Sequence, residues 1–255
     1  MSDSTSAERV LAILEMFARE KRPLSATELA EYCRIPASTC HSLVHTLLRR
    51  SYLYQVGRRK DFYPTRRLFD VGSVIVANDQ VLQRFEPAME ALRDATQETV
   101  VLGKRRKENI VYLEVLESPQ TIWYSAAAGD SKPLHSTCIG KTILAELSPE
   151  DIREWWNVQP PEKVTDNTVD SYARLMADIE EGLRDGYFIT RGENVPDVTA
   201  LAIPVSINNE RFGLAVAGPS PRVERHKEQI VDALKHAAAS LRETADVGRM
   251  PIPAR

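Results

Sequence analysis

Over the first fifty positions the apolar residues recur at helical spacing. Val10, Ile13, Leu14 and Phe17 fall at i, i+3, i+4 and i+7, which predicts a first helix from about Ser6 to Arg19. Ser25-Ala26-Thr27-Glu28 has the form of a capping box and opens a second helix, with Leu29, Ala30 and Cys33 on its buried side. Pro36 suits the first turn of a third helix, in which Cys40, Leu43, Val44, Leu47 and Leu48 form a clean apolar stripe. The period then changes. Tyr52–Val56 and Asp61–Tyr63 read as two short strands around Gly57-Arg58-Arg59-Lys60, a hairpin with three consecutive cations at its tip.

Beyond this segment, Thr65–Gly72 begins another amphipathic helix. A helix over Val81–Thr96 precedes β-rich runs at Thr99–Gly103, Ile110–Leu116 and Thr121–Ser125. Helices follow near Cys138–Leu147, Asp151–Trp156 and Ser171–Asp185. Strands are expected at Tyr187–Thr190, Thr199–Val205 and Phe212–Ala217, and a closing helix from about Glu224 to Thr244. Strands joined by short turns, Asn208-Asn209 among them, with helices at the ends imply an α+β domain with an antiparallel sheet.

Charge changes the picture more than composition does. The chain carries a net −3, yet Arg34 to Arg67 holds eight basic residues against the single acid Asp61. Such a local concentration of Lys and Arg is what phosphate-backbone affinity requires, because each contact releases condensed counterions. No apolar run approaches the ~20 residues of a membrane span, so no membrane partner is expected. The N-terminus lacks the layout of a secretory signal, and three cysteines without framework spacing suit a reducing compartment; the expected location is the cytoplasm.

The face of the third helix opposite its stripe carries Ser38, Thr39, His41, Ser42, His45 and Arg49. Short polar side chains and imidazoles can approach a groove and bond base edges or phosphates. Helix, turn, helix and a basic-tipped hairpin is the layout of a winged helix-turn-helix, with the third helix in the major groove and Arg58, Arg59 and Lys60 on backbone or minor groove. A zinc site built on His41 and His45 is set aside because Cys40 lies on the apolar stripe, away from the histidine face, and no C-x-x-C pair is present. No metal and no cofactor are expected.

The segments SAERVLAILEMF, LSATELAEYCRIPASTCHSLVHTLLRRSYL, RRLFDVG, PLHSTCIGKTILAEL, DGYFITRGENVPDVTALAIPV and GLAVAGPSPR stand in the order and spacing of one family. From Ser6 to about Thr244 the chain resembles the IclR family of bacterial transcription regulators. The resemblance implies a winged helix-turn-helix over 1–65, a linker helix over 66–80, a GAF-like effector-binding domain over 81–246 and a tail over 247–255. It also implies a dimer or tetramer on double-stranded, palindromic operator DNA, and a small-molecule effector. Three departures stand out. The turn before the third helix usually carries Gly where this chain has Arg34. In members that bind small keto-acids, the polar groups of the pocket match Thr190 or Arg191, Ala200, and Ala215 with Ala217 here, and the Gly-Ala pair before Gly-Lys becomes Cys138-Ile139.

Loss of hydroxyls at Ala200, Ala215 and Ala217 leaves room and an apolar pocket, which suits an aromatic or hydrophobic ligand. The expected pocket adds Trp123, His135 and Thr137, with Arg191 as a bidentate partner for a carboxylate. Enzyme readings fail on motif grounds. Gly140-Lys141-Thr142 ends like a phosphate-binding loop, but that motif needs Gly where His135 stands, so Lys141 is expected on an ordinary helix. His135 and Cys138 lack an orienting carboxylate and an oxyanion hole marked by any signature. The competing non-enzyme reading is a sensing module whose helix-turn-helix no longer binds an operator.

Overall fold

The computed structural model describes residues 5–158 and 161–247, and the expected tail lies outside them from residue 248 onward. The chain divides into two compact units, Met1–Asp79 and Gln80–Arg255.

In the first unit, α1 (Ser6–Glu20), α2 (Ala26–Tyr32) and α3 (Ala37–Arg49) precede a hairpin of β1 (Leu53–Val56) and β2 (Asp61–Pro64); α4 (Arg67–Val76) follows. Capping boxes start the first two helices. Thr5 and Glu8 cap α1, and Ser25 and Glu28 cap α2, each side chain taking a backbone N–H of the opposite residue. The stripe of α3 buries Cys40, Val44 and Leu47 against Ile13, Phe17, Leu29, Leu53 and Phe62. Leu24 exchanges two backbone hydrogen bonds with Phe62 and so extends the hairpin by one bridge. α4 buries no side chain, and Phe69, Val74 and Ile75 are exposed on it.

The second unit is a six-stranded, wholly antiparallel sheet of order β5-β4-β3-β8-β7-β6. In chain order, α5 (Gln80–Thr96) leads to β3 (Thr99–Arg106), β4 (Asn109–Leu116) and the short β5 (Ser131–Pro133). Three helices intervene: α6 (Cys138–Leu144), α7 (Pro149–Val158) and α8 (Tyr172–Asp185). The sheet is completed by β6 (Phe188–Arg191), β7 (Val198–Ile207) and β8 (Glu210–Pro219), and the unit closes with α9 (Ser220–Arg225) and α10 (Lys227–Val247). Asn208 and Asn209 both take positive φ in the β7–β8 turn, the geometry that matches the twist of a tight hairpin. A break at His226 splits the expected closing helix in two.

Strand alternation sorts the two faces by size. Val100, Leu102, Leu201, Ile203, Leu214 and Val216 pack under α5 and α10. Their neighbours Val101, Ala202, Ala215 and Ala217 face α6 and α8 instead. Large side chains thus fill one face, while small ones leave a hollow on the other.

One expected strand does not form. Thr121–Ser125 is irregular because β5 takes the free edge of β4, pairing Ile110 with Lys132 and Val111 with Ser131. Side chains hold that segment in place of a ladder: Thr99 Oγ1 donates to the Tyr124 carbonyl at 2.7 Å, and Ser118 Oγ donates to the Gln97 carbonyl at 2.7 Å. Among the described residues, no helix is long and apolar enough to cross a membrane.

Candidate functional site

On α3, Ser38, His41, Ser42 and Arg49 are exposed, while Thr39 and His45 are half-buried. The two imidazoles lie face to tilted face, with ring centroids 4.2 Å apart, and His45 meets Phe62 edge-on at 6.1 Å. That contact seats the helix against the hairpin. Arg49 donates to Thr46 Oγ1 at 3.2 Å, and Thr46 Oγ1 donates back to the Ser42 carbonyl at 2.9 Å, so the C-terminal half of the face is internally braced.

Arg58, Arg59 and Lys60 are exposed on the turn between β1 and β2. Gly57 (φ 68) and Lys60 (φ 57) give the turn its two left-handed positions, closed by Lys60 N–H donating to the Gly57 carbonyl at 3.3 Å. Among the described residues, no carboxylate forms an ion pair with Arg34, Arg49, Arg50, Arg58, Arg59 or Lys60. Arg34 takes φ 53, so the turn between α2 and α3 keeps its left-handed geometry despite the side chain, and it projects a further exposed cation. Together these residues give uncompensated cations beside a hydrogen-bonding face, as groove and phosphate contact requires.

The second unit holds a cavity on the small-residue face of its sheet. Its floor is Val101 of β3, Ala215 and Ala217 of β8, and Val198 and Ala200 of β7. These are register neighbours: Val101 pairs with Ala215, and Ala200 with Ala217. Ser136, Thr137, Cys138 and Ile139 at the start of α6 form one wall, Thr190, Asn194 and Val195 another, and Tyr112 and Tyr124 a third. α6 lies close on the sheet because Ile139 fills a slot over Gly103 and Gly213, where any Cβ would collide with it. As it stands, the cavity offers about 30 Å³ to water-sized occupants.

The polar groups of this wall are largely committed to the fold. Thr137 Oγ1 caps α6 by accepting from Gly140 N–H at 3.1 Å and donates to the Pro133 carbonyl at 2.9 Å. Asn194 donates to Ser136 Oγ at 3.0 Å. The hydroxyls of Tyr112 and Tyr124 face one another at 3.5 Å, and burial pushes both phenols above their ordinary pKa. Burial also pushes the Cys138 thiol up to about 12, so it packs as a neutral group rather than a thiolate.

The expected pocket residues divide. Thr137, Cys138, Ile139, Thr190, Ala200, Ala215 and Ala217 line the cavity; Trp123, His135 and Arg191 do not. Trp123 is 42% exposed on the irregular segment. Arg191 is exposed and its Nε donates to Glu224 at 2.7 Å. The Nε2 of His135 meets the Glu162 carbonyl at 3.0 Å, and burial lowers the pKa of that imidazole. Strand alternation explains Arg191: Thr190 points into the cavity, so its neighbour points out.

Lys141 is not an ordinary helix lysine. It is 1% exposed, and its Nζ donates to Asp178 at 2.6 Å and to both Glu193 oxygens at 2.7 and 2.9 Å. Burial raises the pKa of Glu193, against the pull of Lys141. Thr165 and Thr168 donate to the Glu193 carbonyl at 3.2 and 2.7 Å. This cluster anchors the segment that carries Asn194 and Val195 to the cavity wall.

The family model for the IclR helix-turn-helix domain matches residues 6–57, and that for the C-terminal region of bacterial transcriptional regulator IclR matches residues 74–243. The chain belongs to the IclR family. It is a transcription regulator of that family, with an N-terminal helix-turn-helix and a C-terminal effector-binding domain. The HTH-type transcriptional regulator KdgR of Dickeya chrysanthemi is 27% identical over 240 residues, which cover 92% of this chain and 77% of that protein. The transcriptional repressor IclR of Escherichia coli (strain K12) is 27% identical over 223 residues, 86% of this chain and 81% of that one. Among solved structures, Thermotoga maritima IclR matches with a TM-score of 0.79 at 21% identity, covering 94% and 98% of the two chains. An IclR homologue from Microbacterium hydrocarbonoxydans, complexed with 4-hydroxybenzoate, matches at 0.71 and 22%, covering 94% and 100%.

Within this IclR effector domain, Tyr112, Ser136 and Asn194 line the cavity although the sequence did not single them out for it. Only Lys141 carried a readable signal. It sits in Cys138–Leu144, a run with no polar face to offer solvent, and every residue of that run is buried.

Proposed function

We propose that the chain controls transcription of a catabolic operon in response to a small aromatic metabolite. In this reading α3 enters the major groove of a palindromic operator, with Ser42 and His45 reading base edges, and Arg49, Arg58, Arg59 and Lys60 gripping phosphate. The exposed apolar side chains of α4 support self-association into a dimer or tetramer. Two recognition helices in such an assembly call for half-sites about one helical turn apart, or a multiple of it.

The observation that carries the effector reading is the cavity itself: small alanines beneath, two tyrosines beside, and few polar groups left uncommitted. That chemistry suits a ring, and the Microbacterium homologue of the same fold holds 4-hydroxybenzoate. An apolar cavity of about 150 Å³ takes benzene, whereas this one offers about 30 Å³. A ring therefore enters only as the wall yields. A ligand that binds one arrangement of the wall better than the other shifts the balance between DNA-competent and DNA-incompetent states by that difference, and no further.

The test has two stages. Duplexes selected from a random pool by the full chain should converge on an inverted repeat. The selected duplex should then change its affinity when substituted phenols are titrated in, and a matched set of aliphatic acids should have no effect. A pool that does not enrich would leave a sensing module without an operator; a response to the aliphatic set alone would remove the aromatic effector.

A further inference from the structure

We infer that the cavity selects an uncharged effector, a ring compound bearing a hydroxyl or amide, and discriminates against the corresponding carboxylate. This rests on the reading of the cavity as the effector site. Among the described residues, no Arg, Lys or His lines it. The cations nearby in the fold are spent elsewhere. Arg191 pairs with Glu224, and Arg222 with Glu98 and the Ile122 carbonyl. Lys141 is held by Asp178 and Glu193 and is not among the residues that line the cavity. His135 turns to a backbone carbonyl, and burial favours its neutral form. An incoming carboxylate would lose water and meet no positive partner in the cavity lining. Such a group takes up a proton or stays out.

The uncommitted polar groups fit a neutral ligand. Two phenol oxygens at 3.5 Å are farther apart than the 2.7–2.8 Å or so of an ordinary O–H···O bond. Their mutual bond uses one proton and leaves one proton and several lone pairs. A ligand hydroxyl or amide between them can accept from one tyrosine and donate to the other, which a carboxylate cannot do. Burial disfavours ionisation of both phenols, so neither becomes an anion to be countered.

The test uses the full chain and three 4-hydroxyphenyl probes at pH 7.5: 4-hydroxybenzamide, methyl 4-hydroxybenzoate and 4-hydroxybenzoate, titrated calorimetrically. Two variants report location. Ala200→Leu fills the floor, and Tyr124→Phe removes one oxygen while keeping the packing. The expected result is that the amide and ester bind at least tenfold tighter than the acid, and that both variants weaken them. Acid binding as tight as the neutral probes, and weakened by Ala200→Leu, overturns charge selection but keeps an aromatic effector in this cavity. Binding that neither variant touches places the ligand elsewhere and sinks both readings. Silence from all three probes does the same.

Discussion

The two units handle charge in opposite ways. In the N-terminal unit the cations of α3 and the β1–β2 turn are exposed and, among the described residues, have no acidic partner, so their field reaches solvent. In the C-terminal unit two buried charges are paired: Lys141 with Asp178 and Glu193, and Glu98 with Arg222. An uncompensated surface charge is useful for a polyanion that brings its own compensation. A compensated buried charge serves position instead, and leaves the neighbouring cavity to neutral chemistry.

This contrast is most exposed to a challenge at Lys141. Replacing it with Met keeps the volume but leaves the buried Glu193 and the partly exposed Asp178 without their cation, which costs up to about 3–5 kcal/mol. All three tryptophans lie in the C-terminal unit, so urea unfolding followed by tryptophan fluorescence reads that unit alone. The expected outcome is a lower midpoint for Lys141→Met and recovery of most of the loss when Asp178→Asn and Glu193→Gln are added. A single variant that unfolds like the parent would mean that the cluster does not hold the cavity wall.

The mirror test lies on the exposed charges. Changing Arg58, Arg59 and Lys60 together to Ala should weaken binding to every duplex alike and flatten the logarithmic salt slope by about 0.9 for each phosphate no longer neutralised. Ser42→Ala or His45→Ala should leave that slope in place and relax base preference, at about 1–3 kcal/mol per base pair read. Salt-dependent anisotropy on the selected duplex and on a scrambled one separates the two. If the turn variant altered preference and left the slope alone, the cations would be reading bases rather than phosphate.

A smaller effect is set by the cap of α2. Ser25 N–H and Oγ–H donate to Glu28 Oε2 at 2.9 and 2.8 Å, with Arg22 on the other oxygen at 2.9 Å. These hold the Glu28 carboxyl down to about 2. A depressed folded pKa means that the stabilisation is present at neutral pH and is lost as pH falls from the ordinary carboxylate range through about 2. Ser25→Ala should cost about 1 kcal/mol at pH 7 and less at pH 2, measured by far-UV circular dichroism melts.

What the sequence made legible follows from range. The α3 stripe and both sides of the hairpin are local patterns, and they separate the polar face of α3 and the cationic turn from the core with no knowledge of the rest of the fold. Ala200, Ala215 and Ala217 came instead from the family resemblance, and the β7–β8 register shows them sharing one face. Other pairings need the sheet to exist first. Tyr112 and Tyr124 meet only because the chain folds back past the end of β4, and Arg191 finds Glu224 across 33 residues. Trp123 misled because an aromatic, β-rich run without an edge to pair with does not become a strand.

Arg34 sets surface charge against backbone strain in one residue. At φ 53 an L-residue bears a cost of about 1–2 kcal/mol that glycine escapes, set against glycine's greater loss of chain entropy. The turn keeps its bonds, Arg34 N–H to the Glu31 carbonyl at 3.1 Å and Ile35 N–H to the Ala30 carbonyl at 2.9 Å. Arg34→Gly should therefore raise the stability of the N-terminal unit by about 0.5–1 kcal/mol, a gain of a few degrees in a domain of this size. Affinity for DNA should fall in the same variant, with a salt slope shallower by about 0.9. Opposite signs for stability and binding would mean that the strain is retained for the charge. A fall in both would assign Arg34 a structural role that the free geometry does not require.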